Sequence, residues 1–145
     1  NHGLSQSEVS TLASIVQAEQ QVHPDERPVI AGLYLNRLHR GMRLQSDPTV
    51  VYAVGDFTIN RVLTKHLSTP SPYNTYLNAG LPPGPINLPS KQAIDAVLNA
   101  DDNRFIYMCA KADFSGYHAF ATNLSQHNRN ARAFQQALNE RKIYR

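Results

Sequence analysis

The chain has 145 residues, 41% hydrophobic and 17% charged, enough for one packed domain, or at most two small ones, without covalent staples. That apolar content excludes a disordered chain, and the single Cys109 excludes both a disulfide framework and a Cys-rich zinc site within one chain. Fourteen Lys and Arg against eleven Asp and Glu give a net charge of +3, spread along the chain, a poor basis for expecting a nucleic-acid partner.

No apolar run approaches the roughly 18–20 residues that span a bilayer, and no signal peptide opens the chain. The first residue is Asn1 rather than Met, which suggests that residues 1–145 are a piece cut from a longer protein. Any targeting segment or membrane anchor would then lie upstream.

Ser5-Gln6-Ser7-Glu8 reads as a capping box, and Val9, Leu12, Ala13 and Val16 follow at the spacing of an amphipathic helix, which should stop near Val22-His23-Pro24. A second helix is predicted to begin around Asp25–Pro28, with Ile30, Leu33, Tyr34 and Leu38 on one face and Gly41 just past its end. Asp47-Pro48 has the form of an N-cap followed by the first helical position, opening a short helix through Val54 with Gly55 after it, although Val50 and Val51 would also suit a strand.

Residues 70–89 hold six of the nine prolines, together with Tyr73, Tyr76, Leu77, Leu81 and Ile86. So many fixed φ angles and missing N–H groups preclude a regular element, while the apolar side chains argue for an ordered loop packed on the domain. Ser90 is placed to cap a helix through about Ala100. Phe105–Ala110 and Tyr117–Thr122 read as a hairpin around Asp113-Phe114-Ser115-Gly116, and Ser125 as the cap of a last helix carrying Ala131, Phe134 and Leu138. The expected class is α+β, mostly helical, with one β-hairpin and a long Pro-rich ordered loop.

Glu19 is the strongest chemical candidate. On a helical wheel it falls at the edge of the apolar stripe, one turn beyond Ile15 and Val16. Partial burial there disfavours the carboxylate, and the negative end of the helix dipole pushes the same way. A carboxyl kept protonated near neutral pH suits a general acid, and a solvated rim charge is the competing reading. Asp47 is a candidate second carboxylate for glycoside chemistry, against a plain helix cap, while Asp25 and Glu26 read as first-turn charges. Tyr73-Asn74-Thr75-Tyr76 combines flat rings with amide and hydroxyl groups, the pairing that sugar recognition uses, or else anchors the Pro-rich loop. His118, Phe120, Thr122, Asn123 and His127 gather at the end of the hairpin and are expected to line the same cleft. Six His and one Cys show no metal-ligand spacing, and Gly80, Gly84 and Gly116 form no phosphate loop, so neither a metal nor a cofactor is expected. Asn123-Leu124-Ser125 matches a glycosylation sequon, a frequent chance match.

Three blocks in order, Leu12-Ala13-Ser14-Ile15-Val16-Gln17-Ala18-Glu19, Ala31-Gly32-Leu33-Tyr34-Leu35-Asn36-Arg37-Leu38 and Gly41-Met42-Arg43-Leu44-Gln45-Ser46-Asp47-Pro48-Thr49-Val50, resemble the endolytic murein transglycosylase family, the MltG/YceG group. Ser71-Pro72-Tyr73-Asn74-Thr75-Tyr76, Gly80-Leu81-Pro82-Pro83-Gly84-Pro85-Ile86 and the Tyr117-to-Asn128 stretch continue the likeness, which covers nearly the whole chain. The resemblance implies a lysozyme-like catalytic domain that cuts nascent peptidoglycan strands internally and leaves 1,6-anhydromuramyl ends. It implies Glu19 as general acid and base, with Gln45, Ser46, Asp47, Thr49, Tyr73, Asn74, Thr75, Tyr76, His118, Phe120 and Asn123 as sugar-binding candidates. It also implies a periplasmic location at the outer face of the bacterial inner membrane through an N-terminal anchor outside this chain, with peptidoglycan synthases as plausible partners. Many members carry Glu where this chain has Gln17. The rival readings are a spore-cortex-type hydrolase using water and a non-catalytic glycan-binding module.

Overall fold

The computed structural model describes residues 3–59 and 61–143. The elements run α1 (Gln6–Glu19), a single 3-10 turn (Pro24–Glu26), α2 (Arg27–His39), α3 (Asp47–Val54), α4 (Thr64–Leu67), α5 (Lys91–Leu98), β1 (Tyr107–Ala110), β2 (His118–Ala121) and α6 (Leu124–Ile143). About half the chain is helical and the strands form one antiparallel pair, an α+β architecture.

The core is helix on helix. Leu12, Ile15 and Val16 of α1 meet Ile30, Leu33 and Tyr34 of α2, with Ala93 and Val97 of α5 closing the layer. Burying each of the larger aliphatic side chains contributes about 1.5–3 kcal/mol, which is why the apolar stripes of these helices decide how they meet. The predicted capping box closes α1: Glu8 N–H donates to Ser5 Oγ at 3.1 Å, and Ser5 N–H to Glu8 Oε1 at 2.9 Å. Ser90 caps α5 in the same way through Ala93 N–H at 3.1 Å.

Helix α1 stops at Glu19, three residues before the predicted Val22. The Gln20 side chain is the cause: its Oε1 accepts the N–H groups of Val22 at 3.2 Å and His23 at 3.0 Å, turning the chain sharply after the acid. Asp47 is the first residue of α3 rather than its cap, because its carboxylate is engaged by Tyr76 while Ser46 takes the cap position. At α6 the cap is Asn123, whose Oδ1 accepts Gln126 N–H at 2.8 Å, and Ser125 lies inside the first turn. Helix α4 has no counterpart in the sequence reading. It is one turn long, and its start is closed by His66 Nδ1 accepting Leu63 N–H at 2.8 Å.

The hairpin pairs Tyr107 with Ala121 and Ala110 with His118. It is held beside α2 by Asn36, whose Nδ2 reaches the carbonyls of Asn103 and Phe105, both at 2.9 Å. Gly32 permits this approach, since a β-carbon there would run into the Asp101 carbonyl. Arg37 completes the attachment: its Nε donates to Ile106 O and its Nη1 to Arg43 O, both at 2.7 Å. Helix α6 then packs across the hairpin.

The Pro-rich stretch is an ordered loop with no helix or strand of its own. Asn74 is its hub, donating to Leu67 O and Thr69 O and accepting from Tyr76 N–H, all at 2.9 Å. Its far end is tied to α1: Ile86 N–H donates to Ser14 Oγ at 3.0 Å and Ser90 N–H to Gln17 Oε1 at 2.8 Å. Gln17 therefore fastens the loop to the helix that carries Glu19.

Candidate active site

Glu19 sits at the last position of α1, where the apolar stripe meets the surface. The same 3.6-residue period that buries Ile15 and Val16 turns its carboxyl inward against α2 and α3. Its Oε2 accepts from the Tyr34 hydroxyl and, at 3.3 Å, from Ser46 Oγ. Burial holds the carboxyl above its ordinary value of 4.5, a shift opposed by the Tyr34 hydrogen bond, reinforced by Asp47 and opposed again by His118. Burial, and then the Glu19 charge, push the Tyr34 phenol well above its ordinary range, so it remains a donor. With Oε2 taking both donated bonds, the other oxygen is the one left to carry the acid's proton.

Tyr34 was expected in the core, and its ring is there, only 2% exposed. No local pattern signals that its hydroxyl, fifteen residues from Glu19, touches the acid. Glu26 is likewise more than a first-turn charge. It is buried and accepts from His118 N–H at 3.0 Å and from Gln20 Nε2 at 2.9 Å, and it pairs with His118 Nδ1 at 2.6 Å. That pair fixes the imidazole across 92 residues of sequence, a separation at which no local pattern signals it.

Two clefts meet at the acid. The first, about 520 Å³, runs between α2, the start of α3 and the hairpin and is lined by Glu19, Arg37, Gln45, Asp47, Tyr76 and His118, among others. The second, about 880 Å³, lies beyond α3, and Glu19, Asp47 and Ala110 line both. Gln45 is exposed and holds a left-handed backbone (φ +51°), uncommon for a residue with a β-carbon. Asp47 accepts the Tyr76 hydroxyl at 2.6 Å, and burial followed by that bond raises the Tyr76 phenol. His127 also lines the first cleft, stacked on Tyr107 at 5.0 Å, with a buried Nδ1 that has no hydrogen-bond partner among the described residues. Desolvation lowers its pKa and favours the neutral ring.

The remaining sugar-binding candidates stand behind this surface or away from it. Ser46, Thr49 and Thr75 form a buried hydroxyl knot: Ser46 N–H donates to Thr75 Oγ1 at 2.9 Å, and the two threonine hydroxyls lie 2.8 Å apart. Asn74 is fully buried with its amide consumed by the loop. Thr49, Asn74 and Thr75 therefore shape the cleft wall instead of facing a ligand. Tyr73 packs on Tyr52 at 4.7 Å, Phe120 packs on Phe105 at 5.2 Å against the core, and Asn123 caps α6. None of these three lines either cleft. Among the described residues no group of three or more His, Cys, Asp or Glu side chains is placed to hold a metal ion, and no helix is long and apolar enough to cross a membrane.

Known proteins resemble this chain along most of its length. An endolytic murein transglycosylase from Bacillus subtilis (strain 168) is 39% identical over 131 residues, covering 90% of this chain and 35% of the relative. One from Streptococcus pneumoniae (strain D39) is 37% identical over 131 residues, covering 88% of this chain and 23% of the relative. The chain thus spans about a third or less of these relatives. A crystal structure of a yceG-like protein from Listeria monocytogenes superposes with a TM-score of 0.81 at 37% identity, over 87% of this chain and 40% of that one. The family model described as the YceG-like family matches residues 1–133, and the chain belongs to that family.

Proposed function

We propose that this chain is the catalytic domain of an endolytic murein transglycosylase, cutting the β-1,4 bond between N-acetylmuramic acid and N-acetylglucosamine with Glu19 as its acid and base. The observation that carries the reading is the setting of Glu19: a carboxyl raised by burial, hydrogen-bonded on one oxygen, where two clefts join. A polymer cut internally must run past the acid, and the first cleft, with Glu19 in its wall, offers a polar-lined course for it between α2, the start of α3 and the hairpin. The names of the relatives agree with murein as the substrate.

The chemistry needs one carboxyl. Protonated Glu19 gives its proton to the glycosidic oxygen as the C1–O bond breaks and oxocarbenium character develops on the muramyl ring. The resulting carboxylate takes the proton of the C6 hydroxyl as that oxygen bonds to C1 of the same ring. The products are a 1,6-anhydromuramyl end and a free N-acetylglucosamine 4-hydroxyl, with no water consumed. Because the nucleophile belongs to the substrate, no second carboxylate has to hold a water. Tyr34 and Ser46 keep the reacting oxygen of Glu19 turned toward the cleft, and Gln45, Tyr76 and His118 are the polar groups available to orient sugars.

On this reading the whole protein works at the outer face of the cytoplasmic membrane, on strands being made by peptidoglycan synthases. The test is mass spectrometry of polymeric peptidoglycan digested by the wild type and by Glu19→Gln. Anhydromuramyl ends are expected from the wild type alone. Reducing muramic ends would replace the intramolecular attack by hydrolysis, and undiminished cleavage by Glu19→Gln would remove Glu19 from the mechanism.

A further inference from the structure

The second cleft is unlike a sugar site. Val51, Tyr52, Phe57, Val62, Ile86 and Phe134 give it largely apolar walls, whereas a glycan's hydroxyls need polar partners along their length. Phe57 is 71% exposed, a large ring facing water. Arg61, also exposed, lines the same cleft and is in no ion pair with a carboxylate among the described residues. Among the described residues the only carboxyl groups lining it are Glu19 and Asp47, and Asp47 already holds the Tyr76 hydroxyl.

We propose that this cleft binds the peptide stem of the muramic acid whose bond is cut, with Arg61 pairing a free stem carboxylate and Phe57 and Tyr52 packing on its alanine methyls. The inference rests on the reading of Glu19 given above. The stem is attached through the lactyl group on O3 of the same ring whose C1 reacts, so it branches from the strand within one sugar of the acid. Such a branch needs a side groove that joins the glycan cleft at Glu19, and the shared residues Glu19, Asp47 and Ala110 mark that junction. A peptide combining small methyl side chains with free carboxylates matches apolar walls carrying one unpaired guanidinium, which recognises a carboxylate through paired N–H donors.

The test compares kcat/KM of the full-length protein on glycan strands with stems and on strands stripped of them by an amidase, with circular dichroism confirming the fold of each variant. The wild type is expected to favour the stem-bearing strand by about tenfold or more. Arg61→Glu and Phe57→Ser are each expected to bring that ratio to within about twofold of unity. A wild-type ratio near unity, or one that survives Arg61→Glu, overturns the proposal while leaving the Glu19 mechanism standing. Failure of the folded wild type to cut either strand overturns the Glu19 mechanism. Calorimetry then decides the stem question separately, using a muramyl disaccharide with and without its peptide on Glu19→Gln. Binding about tenfold tighter with the peptide supports the stem site, and equal binding overturns it.

Discussion

Tyr34 donates its hydroxyl to Oε2 of Glu19, and that bond favours the ionised form. The other groups acting on the acid are Ser46 and Asp47 from the start of α3 and His118 from β2. Removing only the hydroxyl in Tyr34→Phe should therefore raise the Glu19 pKa further, moving the alkaline limb of the kcat/KM profile to higher pH. The looser carboxyl should at the same time lower the plateau by about tenfold. A pH–rate series on both proteins checks this, and a limb that stays in place would make Tyr34 merely a packing residue. Glu19→Gln itself should cost about 10²- to 10⁴-fold in cleavage, the usual worth of a general acid. It carries a stability signature too. Because the folded pKa lies above the ordinary 4.5, protonated Glu19 contributes stability that is complete below 4.5 and lost as pH rises through the folded value. The variant should thus have a higher urea midpoint than the wild type at pH 8, the gap narrowing toward pH 4. Glu19 was legible because its position relative to Ile15 and Val16 is a matter of helical period. Tyr34 and Glu26 were not, because each is defined by a partner from another element, and a helical wheel sees only its own.

Most helices announced themselves through their ends. The Ser5–Glu8 box and the Ser90 cap are local chemistry, and both are present. Replacing Ser5 or Ser90 by Ala should each cost about 1 kcal/mol, measurable as a shift in thermal midpoint without loss of cleavage specificity. Asp47 misled because Asp-Pro at a helix start has the same sequence whether the carboxylate caps the helix or, as here, takes a tyrosine hydroxyl from a loop 29 residues away. Helix α4 was invisible for another reason: a single turn is too short for any apolar period to declare itself. Gly32 belongs at this scale as well. It reads as an ordinary helix residue, yet it is where α2 and the segment before β1 touch, so Gly32→Ala should destabilise by about 1–3 kcal/mol in denaturant titration.

Across the whole molecule, the α+β class, the order of the main helices and the hairpin were readable, whereas the way the hairpin meets the helices was not. Arg37 shows why. It is a buried cation whose described hydrogen bonds go to carbonyl oxygens and whose guanidinium lies 5.3 Å from the centre of the Tyr107 ring, and nothing nearby in sequence hints at those partners. Arg37→Met should leave the Ile106 and Arg43 carbonyls unmet and cost about 2–4 kcal/mol.

The loop beside the first cleft is pinned at one end by Asn74 and the threonine hydroxyls, and at the other by Ser14 and Gln17. Such a loop has no private way to open: the amides of Tyr76, Ile86 and Ser90 should exchange with deuterium only when the helices themselves let go. Warming should therefore extinguish cleavage and far-ultraviolet ellipticity along one shared curve, with no earlier temperature at which a well-folded protein has already fallen silent.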